Sequence, residues 1–219
     1  MEADEFFDRA ELPYVLLVHG HTGSGPDHWQ SWLAGEWARL GGVVDVPQFT
    51  EPDHPELEVW LSELFHHLQV APRGRERVVL THSYGSSLWL HHAARLKGTP
   101  EEAGLRFDRV LMVSPPGPAW HSPDVRGFAP TPLDPAGIRR AGARTQLVVG
   151  DNDECCSVDE AMAMAEALRI DLDVIAGGAH LNTVAGYGPW PSVLSWVSDR
   201  HARLTANTSG PDLLPRAGC

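Results

Sequence analysis

Short apolar runs alternate along the chain with longer segments in which apolar residues recur every three or four positions. Runs of four or five residues rich in Val, Leu and Ile are typical of strands buried on both faces of a parallel sheet. Apolar residues at helical spacing predict amphipathic helices between them. The predicted strands are 14–18, 43–46, 78–81, 110–113, 147–150 and 172–175, and the main predicted helices are 29–40, 57–68, 84–97, 158–168 and 193–204.

The regular alternation of strand and helix predicts an α/β fold with about six mostly parallel strands and helices on both faces. A chain of 219 residues has the length of one domain, which we expect to span 1–204, with a flexible C-terminal tail at 205–219. One long connection, 114–142, is rich in proline. We expect it to cross the carboxyl edge of the sheet as largely irregular chain with one short helix.

Charge and composition exclude several classes of protein. Seventeen Lys and Arg against 29 Asp and Glu give a formal net charge of −12, which disfavours nucleic acid and anionic membranes as partners. No apolar run approaches the ~20 residues of a membrane span, and the acidic segment 1–13 lacks the layout of a signal peptide. Three cysteines do not form a disulfide framework. We therefore expect a cytoplasmic protein.

A serine stands where the third predicted strand meets the next helix, in the sequence Thr81-His82-Ser83-Tyr84-Gly85. A serine on such a turn presents its hydroxyl above the sheet, at the N-terminus of the helix. Small residues are needed two positions to either side; Gly85 meets this need, whereas Thr81 stands where glycine is usual. The pattern predicts Ser83 as a nucleophile, the alternative being an ordinary turn with a serine cap.

A serine hydroxyl is a weak nucleophile that needs a histidine base, itself oriented by a carboxylate. Acidic residues follow the fifth predicted strand, and His180 follows the sixth. Loops at the carboxyl ends of parallel strands lie at the edge where ligands bind. The order Ser, Asp, His therefore predicts a catalytic triad of Ser83, His180 and one aspartate, for which the residues leave both Asp151 and Asp153 open.

Several stretches together resemble the small serine hydrolase family that includes retinoblastoma-binding protein nine, within the α/β-hydrolase superfamily. The resemblance covers about 14–197 and is most specific in Gly-Pro-Asp-His-Trp at 25–29 and Gly-Tyr-Gly-Pro-Trp at 186–190. The other matching stretches are 18–20, 81–85, 114–116, 128–130 and 178–185. It implies a single-domain α/β-hydrolase fold with a minimal lid.

The same resemblance implies roles for individual residues. The family's acid precedes a proline in a position that maps onto Asp153-Glu154, and the 27 positions from Asp153 to His180 also fit, so Asp153 is preferred to Asp151. The backbone N–H groups of Tyr84 and His21 are expected to form the oxyanion hole. The expected reaction is cleavage of a carboxylic ester of a small molecule, with thioesters and amides as related substrates.

Two alternatives to a general esterase stay open. One is a non-catalytic partner-binding protein on a hydrolase scaffold; the other is a pathway-specific thioesterase, lactonase or cyclase. No cofactor and no metal are expected, because the histidines near the first strand lack the His-x-His-x-Asp-His spacing: five residues separate His21 from Asp27. Cys155 and Cys156 are adjacent to the proposed acid, but neither lies on a strand-to-helix turn, so neither is assigned as a nucleophile.

Overall fold

Six parallel strands form a single sheet at the centre of the molecule. The structure is a computed structural model that describes residues 12–120 and 122–207. The sheet order is β2-β1-β3-β4-β5-β6, with every neighbouring pair parallel, which confirms the predicted α/β class. The strands are β1 (Tyr14–Val18), β2 (Val43–Asp45), β3 (Arg77–His82), β4 (Phe107–Val113), β5 (Gly142–Gly150) and β6 (Asp171–Ile175).

Within the described residues, six α-helices cover the two faces of this sheet. The helix α5 shows how local sequence sets their limits: Ser157 and Glu160 form a capping box at its start, and Arg169 ends it in the left-handed conformation (φ 57°). The helices are α1 (Trp29–Arg39), α2 (Leu57–Val70), α3 (Tyr84–Arg95), α4 (Pro135–Ala141), α5 (Val158–Leu168) and α6 (Pro191–Ser198). Short 3-10 helices lie at Pro100–Leu105, Pro123–Phe128 and Thr183–Ala185.

The core has two layers, one on each side of the sheet. Leu16 and Val18 of β1 pack into the layer that contains buried residues of α2, α3, α4 and α5. Val15 and Leu17, which point the other way because side chains alternate along a strand, pack into the layer with α1 and α6. Burial on both faces is the physical reason why the strands read as continuous apolar runs.

The order of the strands brings the loops that follow β1 and β3 together at one edge of the sheet. The chain passes from β1 outward to β2 and then back to β3 on the other side of β1. The order in which strands are added to the sheet therefore reverses at β1. Val18 at the end of β1 pairs in register with Thr81 near the end of β3. The loop after β1 and the turn after β3 are therefore neighbours, at the kind of switch point where open α/β sheets bind ligands.

Two strands begin earlier than the apolar pattern predicts, because polar residues in their first halves are buried with partners. Arg109 in β4 is buried and forms a salt bridge with Glu76 (2.7 Å). Gln146 in β5 donates to Asp173 (2.7 Å) and accepts from the indole N–H of Trp196 (2.9 Å). Consequently β4 begins at Phe107 rather than 110, and β5 begins at Gly142 rather than 147.

The last helix is shorter than predicted. α6 ends at Ser198, not near 204, and the Asp199 carboxylate accepts a hydrogen bond from His201 N–H (2.9 Å) in the turn that follows. Thr205 O then accepts from the Trp190 indole N–H (2.8 Å), so the first residues of the predicted tail pack against the segment that precedes α6. The rest of the predicted tail, 208–219, lies outside the described residues.

The proline-rich connection 114–142 contains the 3-10 helix Pro123–Phe128 and then α4, which leads into β5. Its remaining described residues have no regular secondary structure, as the prolines predict. Among the helices in the described ranges, none combines the length and the apolar character needed to cross a bilayer.

Candidate active site

Ser83 forms the turn between β3 and α3. Its backbone has φ 51° and ψ −124°, a region that residues other than glycine rarely adopt and that is concentrated at functional sites. Neighbouring backbone groups stabilise the turn: Ser83 N–H donates to Val113 O (2.9 Å), and Ser86 N–H donates to Ser83 O (2.8 Å). The tight turn that the sequence predicts at Ser83, called the elbow below, is therefore present as a backbone conformation.

Two glycines allow the elbow to lie against the end of β1. A Cβ atom at Gly85 would lie 2.5 Å from the carbonyl oxygens of Val18 and His19, and one at Gly20 would lie 2.8 Å from the Ser83 Cβ. Neither position has room for a side chain. Thr81, which replaces the usual glycine, is buried with its hydroxyl 2.7 Å from that of Ser86, so the larger residue is accommodated by a hydrogen bond.

Three loops bring the serine, the histidine and an aspartate into one hydrogen-bonded chain. Nε2 of His180 lies 3.0 Å from Ser83 Oγ, and Nδ1 lies 3.0 Å from both carboxylate oxygens of Asp153. A carboxylate can only accept, so Nδ1 carries a proton, and in the neutral form of the ring Nε2 presents a free lone pair to the hydroxyl. The side chain of Asp153 is 0% exposed and that of His180 is 18% exposed, so only the histidine is accessible from solvent.

Asp151 does not contact the histidine ring. Its carboxylate accepts from Gly177 N–H (2.7 Å), and the neighbouring Asn152 accepts from Ala179 N–H (2.7 Å). Both bonds join the loop after β5 to the loop that carries His180. Of the two aspartates that the sequence left open, Asp153 therefore meets His180, and Asp151 stabilises the loop.

The surroundings of His180 favour its charged form. Burial by itself would lower the pKa of the imidazole, but the hydrogen bond and charge of Asp153, together with the adjacent Cys155, raise the pKa of His180 to about 9. A carboxylate in this position stabilises the imidazolium that forms whenever the ring takes up a proton.

The two backbone N–H groups expected to form an oxyanion hole are close to the elbow. Tyr84 follows Ser83 directly, and the His21 ring meets the Tyr84 ring edge-on with centroids 6.3 Å apart. Neither backbone N–H donates to an acceptor within the described ranges. The His21 side chain is turned aside, with Nε2 3.0 Å from Asp53 O. Any role of His21 at the reaction centre is therefore assigned to its backbone.

His82, to which the sequence analysis assigns no role, contacts the loop of His180. Its Nε2 lies 3.0 Å from His180 O, and since a carbonyl oxygen only accepts, Nε2 is the donor. Complete burial lowers the pKa of His82 well below its ordinary value, so the ring stays neutral and keeps this tautomer. His82 occupies the position before the serine, at which the motif allows any residue. Its hydrogen bond to the loop of His180 could not be read from the sequence, because the two residues are 98 positions apart.

His28 extends this cluster of rings. Its Nδ1 accepts from Gln30 N–H (3.2 Å) at the start of α1, and its ring centroid lies 4.8 Å from that of His82. Burial lowers the pKa of His28 to about 4. The His180 loop thus packs on neutral aromatic rings, which contribute no charge that would compete with Asp153.

An apolar cavity opens beside the elbow. Its volume is about 480 Å³, within the range of small-molecule sites. Tyr84 forms one wall, α5 another, and the proline-rich connection the rest; the lining residues are Tyr84, Pro116, Gly117, Pro118, Trp120, Phe128, Ala129, Pro130, Thr131, Leu133, Glu160, Ala163 and Met164. The Glu160 carboxylate accepts hydrogen bonds from the backbone N–H groups of Ser157 and Ala119, so it supports the wall.

A second cavity, of about 600 Å³, lies at the opposite edge of the sheet. Its lining includes Arg109 and Arg144 in the first halves of β4 and β5. Ser83, Asp153 and His180 all follow the carboxyl ends of strands. Of these two cavities, the one beside Tyr84 lies at the same edge of the sheet as the three residues.

The two cysteines next to Asp153 differ in environment. Burial raises the pKa of the Cys156 thiol to about 12, and its sulfur contacts Ser157 O (3.6 Å). Cys155 is partly exposed, and its backbone N–H donates to Asp153 Oδ1 (2.8 Å). Its sulfur lies close to His180, within a group in which ligand atoms of Asp153, Cys155 and His180 are all within 4.8 Å of one another.

Known proteins resemble the chain over nearly its whole length. YdeN of Bacillus subtilis (strain 168) is 21% identical over 194 residues, which are 87% of this chain and 97% of YdeN. The crystal structure of the ydeN gene product covers 85% of this chain and 97% of its own, with a TM-score of 0.70 and 19% identity. A YdeN-like protein from Pectobacterium atrosepticum has a TM-score of 0.65 and 23% identity, over 86% and 90% of the two chains.

The structural likeness extends to a thioesterase domain. The thioesterase domain from the curacin biosynthetic pathway has a TM-score of 0.58 at 17% identity and covers 87% of this chain and 92% of its own. At this identity the likeness concerns the fold. Residues 15–199 match the model of the family described as serine hydrolase, and the chain therefore belongs to that family, within the α/β-hydrolase fold.

Proposed function

We propose that this hydrolase cleaves carboxylic esters of small molecules through an acyl-enzyme on Ser83. The observation that carries the proposal is the hydrogen-bonded chain from Ser83 through His180 to Asp153, with 3.0 Å at each step, beside an apolar cavity. A protein that only binds partners has no need of this alignment. The proposed reaction needs neither a cofactor nor a metal.

The first half of the reaction forms the acyl-enzyme. Ser83 Oγ attacks the ester carbonyl carbon while His180 Nε2 takes up the hydroxyl proton. Asp153 keeps Nδ1 protonated and stabilises the imidazolium. The backbone N–H groups of Tyr84 and His21 donate to the oxyanion of the tetrahedral intermediate, and such a donor contributes about 3–4 kcal/mol when it is well placed. His180 then gives its proton to the departing alcohol.

The second half returns the enzyme to its starting state. Water attacks the acyl carbonyl, His180 accepts a proton from that water, and the acid is released as Ser83 Oγ recovers the proton. The apolar cavity beside Tyr84 accommodates a hydrocarbon part of the substrate, because its polar carboxylate, Glu160, is already hydrogen-bonded to the backbone. We therefore propose esters with an apolar acyl chain as the substrate class.

Reaction with a fluorophosphonate, followed by intact-mass measurement and peptide mapping, tests the nucleophile. We expect one adduct, on Ser83, that is absent from Ser83→Ala. Ser198→Ala, which changes an exposed serine near the end of α6, is the matched control and should react like the wild type. A folded wild-type protein that forms no adduct would contradict the proposal and favour the partner-binding alternative.

A series of p-nitrophenyl esters tests the substrate class. We expect kcat/KM to rise from acetate to medium-chain acyl groups as the cavity fills, since each buried CH₂ contributes up to about 0.8 kcal/mol. A flat or falling series in a protein that is labelled at Ser83 would leave the nucleophile intact and refute the apolar acyl preference.

A further inference from the structure

Three side chains with different ligand chemistry converge next to the nucleophile. Ligand atoms of Asp153, Cys155 and His180 lie within 4.8 Å of one another, and His180 Nδ1 is 3.0 Å from each Asp153 oxygen. The loop after β5 supplies the first two residues, and the bond from Cys155 N–H to Asp153 Oδ1 (2.8 Å) fixes their relative position. The loop after β6 supplies the third.

A thiolate, an imidazole and a carboxylate together form a donor set that suits Zn²⁺. Magnesium and calcium prefer oxygen donors alone, whereas sulfur and imidazole nitrogen select zinc and similar metals. The two anions, Asp153 and the Cys155 thiolate, balance the charge of a divalent ion. The composition of the cluster therefore points to one class of cation.

The spacing of the cluster is close to what zinc requires. Zinc bonds of about 2.0–2.3 Å at tetrahedral angles separate neighbouring ligand atoms by about 3.3–3.6 Å. The carboxylate oxygen and Nδ1, which are 3.0 Å apart, need to separate by about 0.5 Å, and the sulfur, which lies within 4.8 Å of the other ligand atoms, needs to approach them by up to about 1.2–1.5 Å. Cys155 is partly exposed and the His180 side chain is 18% exposed, so the ion can enter from solvent without unfolding.

We propose that Asp153, Cys155 and His180 form an inhibitory Zn²⁺ site. On binding, the Cys155 thiol loses its proton to solvent and its sulfur bonds to the metal. Asp153 contributes one oxygen, and in the neutral ring of His180 the proton on Nδ1 moves to Nε2 as the metal takes its place, so the ring stays neutral. One proton is released for each ion bound, and water completes the fourth position.

Inhibition follows from the move of the His180 proton from Nδ1 to Nε2. It rests on the proposed function, in which Nε2 accepts the proton of Ser83. With metal on Nδ1, Nε2 carries hydrogen and donates to Ser83 Oγ, so it can no longer accept the hydroxyl proton. The carboxylate that orients the ring is also engaged by the ion. Metal binding itself does not depend on catalysis, so it can be tested separately.

Titration with Co²⁺, which can replace zinc and shows thiolate bonds as a charge-transfer band, tests binding. We expect one equivalent to produce this band in the wild type and in Ser83→Ala, and added Zn²⁺ to abolish it. Cys155→Ser should lose the band and bind at least about tenfold more weakly. Cys219→Ser is the matched control and should keep the band. A missing band in the wild type, or an unchanged one in Cys155→Ser, would overturn the site.

Ester hydrolysis in the presence of Zn²⁺ tests the consequence. We expect one equivalent of zinc to inhibit the wild type and Cys219→Ser, with recovery on addition of EDTA, and Cys155→Ser to need at least about tenfold more zinc. Equal inhibition of Cys155→Ser would contradict the proposal, because other histidines would then be responsible. A thiolate–cobalt band in a protein without any esterase activity would refute the proposed function and leave the metal site supported.

Discussion

At the scale of single residues, two aspartates in one loop show how a shift of two positions changes a role. Asp153 is buried against His180 Nδ1, whereas Asp151 is exposed and accepts from Gly177 N–H. Both residues follow β5, so the difference between their hydrogen-bond partners comes from the path of the loop, which turns Asp153 and not Asp151 toward the ring. The residue that faces the ring can set its tautomer, and the other can only stabilise the loop.

We expect Asp153→Asn to lower kcat about 10⁴-fold, because an amide at this position can stabilise the wrong tautomer of the histidine. Asp151→Asn should change kcat less than about threefold, because the amide oxygen can still accept the backbone hydrogen bond. Kinetics on an activated ester measures both. The proposed assignment would be wrong if Asp151→Asn were the more damaging change.

His82 provides a test of positioning. His82→Phe removes the donor to His180 O, and we expect kcat to fall about tenfold with KM nearly unchanged, because an unpaired buried carbonyl costs about 1–3 kcal/mol and is relieved by movement of the loop. His82→Gln, whose amide can donate in the same direction, should recover most of the rate. A loss that is equal in both variants, or that lies in KM, would argue against positioning of His180.

At the scale of elements, α5 and the proline-rich connection form walls of the apolar cavity beside Tyr84, and Glu160 links them. Its carboxylate stabilises the start of α5 through Ser157 and accepts from Ala119 N–H in the connection. A Cβ at Gly117 would lie 2.8 Å from the same carboxylate, so the connection passes close over the helix. The cavity therefore lies between a helix face and the connection that passes over it.

Ala163→Trp tests this interpretation of the cavity. The residue lines the cavity from an exposed position on α5, so an indole can fill the space without disturbing the core. We expect kcat/KM for a medium-chain ester to fall at least about tenfold while that for acetate changes less than about twofold, since the lost burial concerns the chain alone. Ala167→Trp, on the same helix but outside the cavity lining, is the control and should leave both values near wild type.

The limits of the elements show what the sequence alone could predict. The apolar runs located part of every strand, and the order of serine, aspartate and histidine was readable because each candidate follows a strand. The choice of Asp153 over Asp151 needed the family resemblance. The early starts of β4 and β5 were not readable, because Arg109 and Gln146 are polar and interrupt the apolar pattern. Their burial in the strands becomes understandable only once their partners, Glu76 and Trp196, are known. The hydrogen bond from His82 to His180 O was unreadable for the same reason, because the two residues are far apart in the sequence.

At the scale of the whole molecule, buried neutral histidines couple folding to pH. His92 is buried in α3, its Nε2 has no partner within the described ranges, and burial lowers its pKa to about 4. In the unfolded chain a histidine titrates near 6.5. Between these values the unfolded state binds more protons than the folded state, so stability falls as pH falls.

We expect the free energy of unfolding to decrease below about pH 6.5, with His92 contributing up to about 1.4 kcal/mol per pH unit and about 3 kcal/mol by pH 4. His92→Leu should reduce this slope. His66→Leu, at an exposed position on α2, is the matched control and should alter stability by less than about 0.5 kcal/mol. Urea unfolding at several pH values measures the slopes, and an unchanged slope in His92→Leu would contradict the assignment.

The bonds from Gly177, Ala179 and His82 to the neighbouring loops have a kinetic consequence. Three hydrogen bonds, two to the loop after β5 and one to His82, hold the His180 segment, so the fold itself keeps the proposed proton acceptor in place. Encounter and bond formation then need no intervening rearrangement of that segment. Inactivation by a fluorophosphonate should accordingly follow a single exponential whose rate is proportional to reagent concentration, without the lag that a slow isomerisation would introduce.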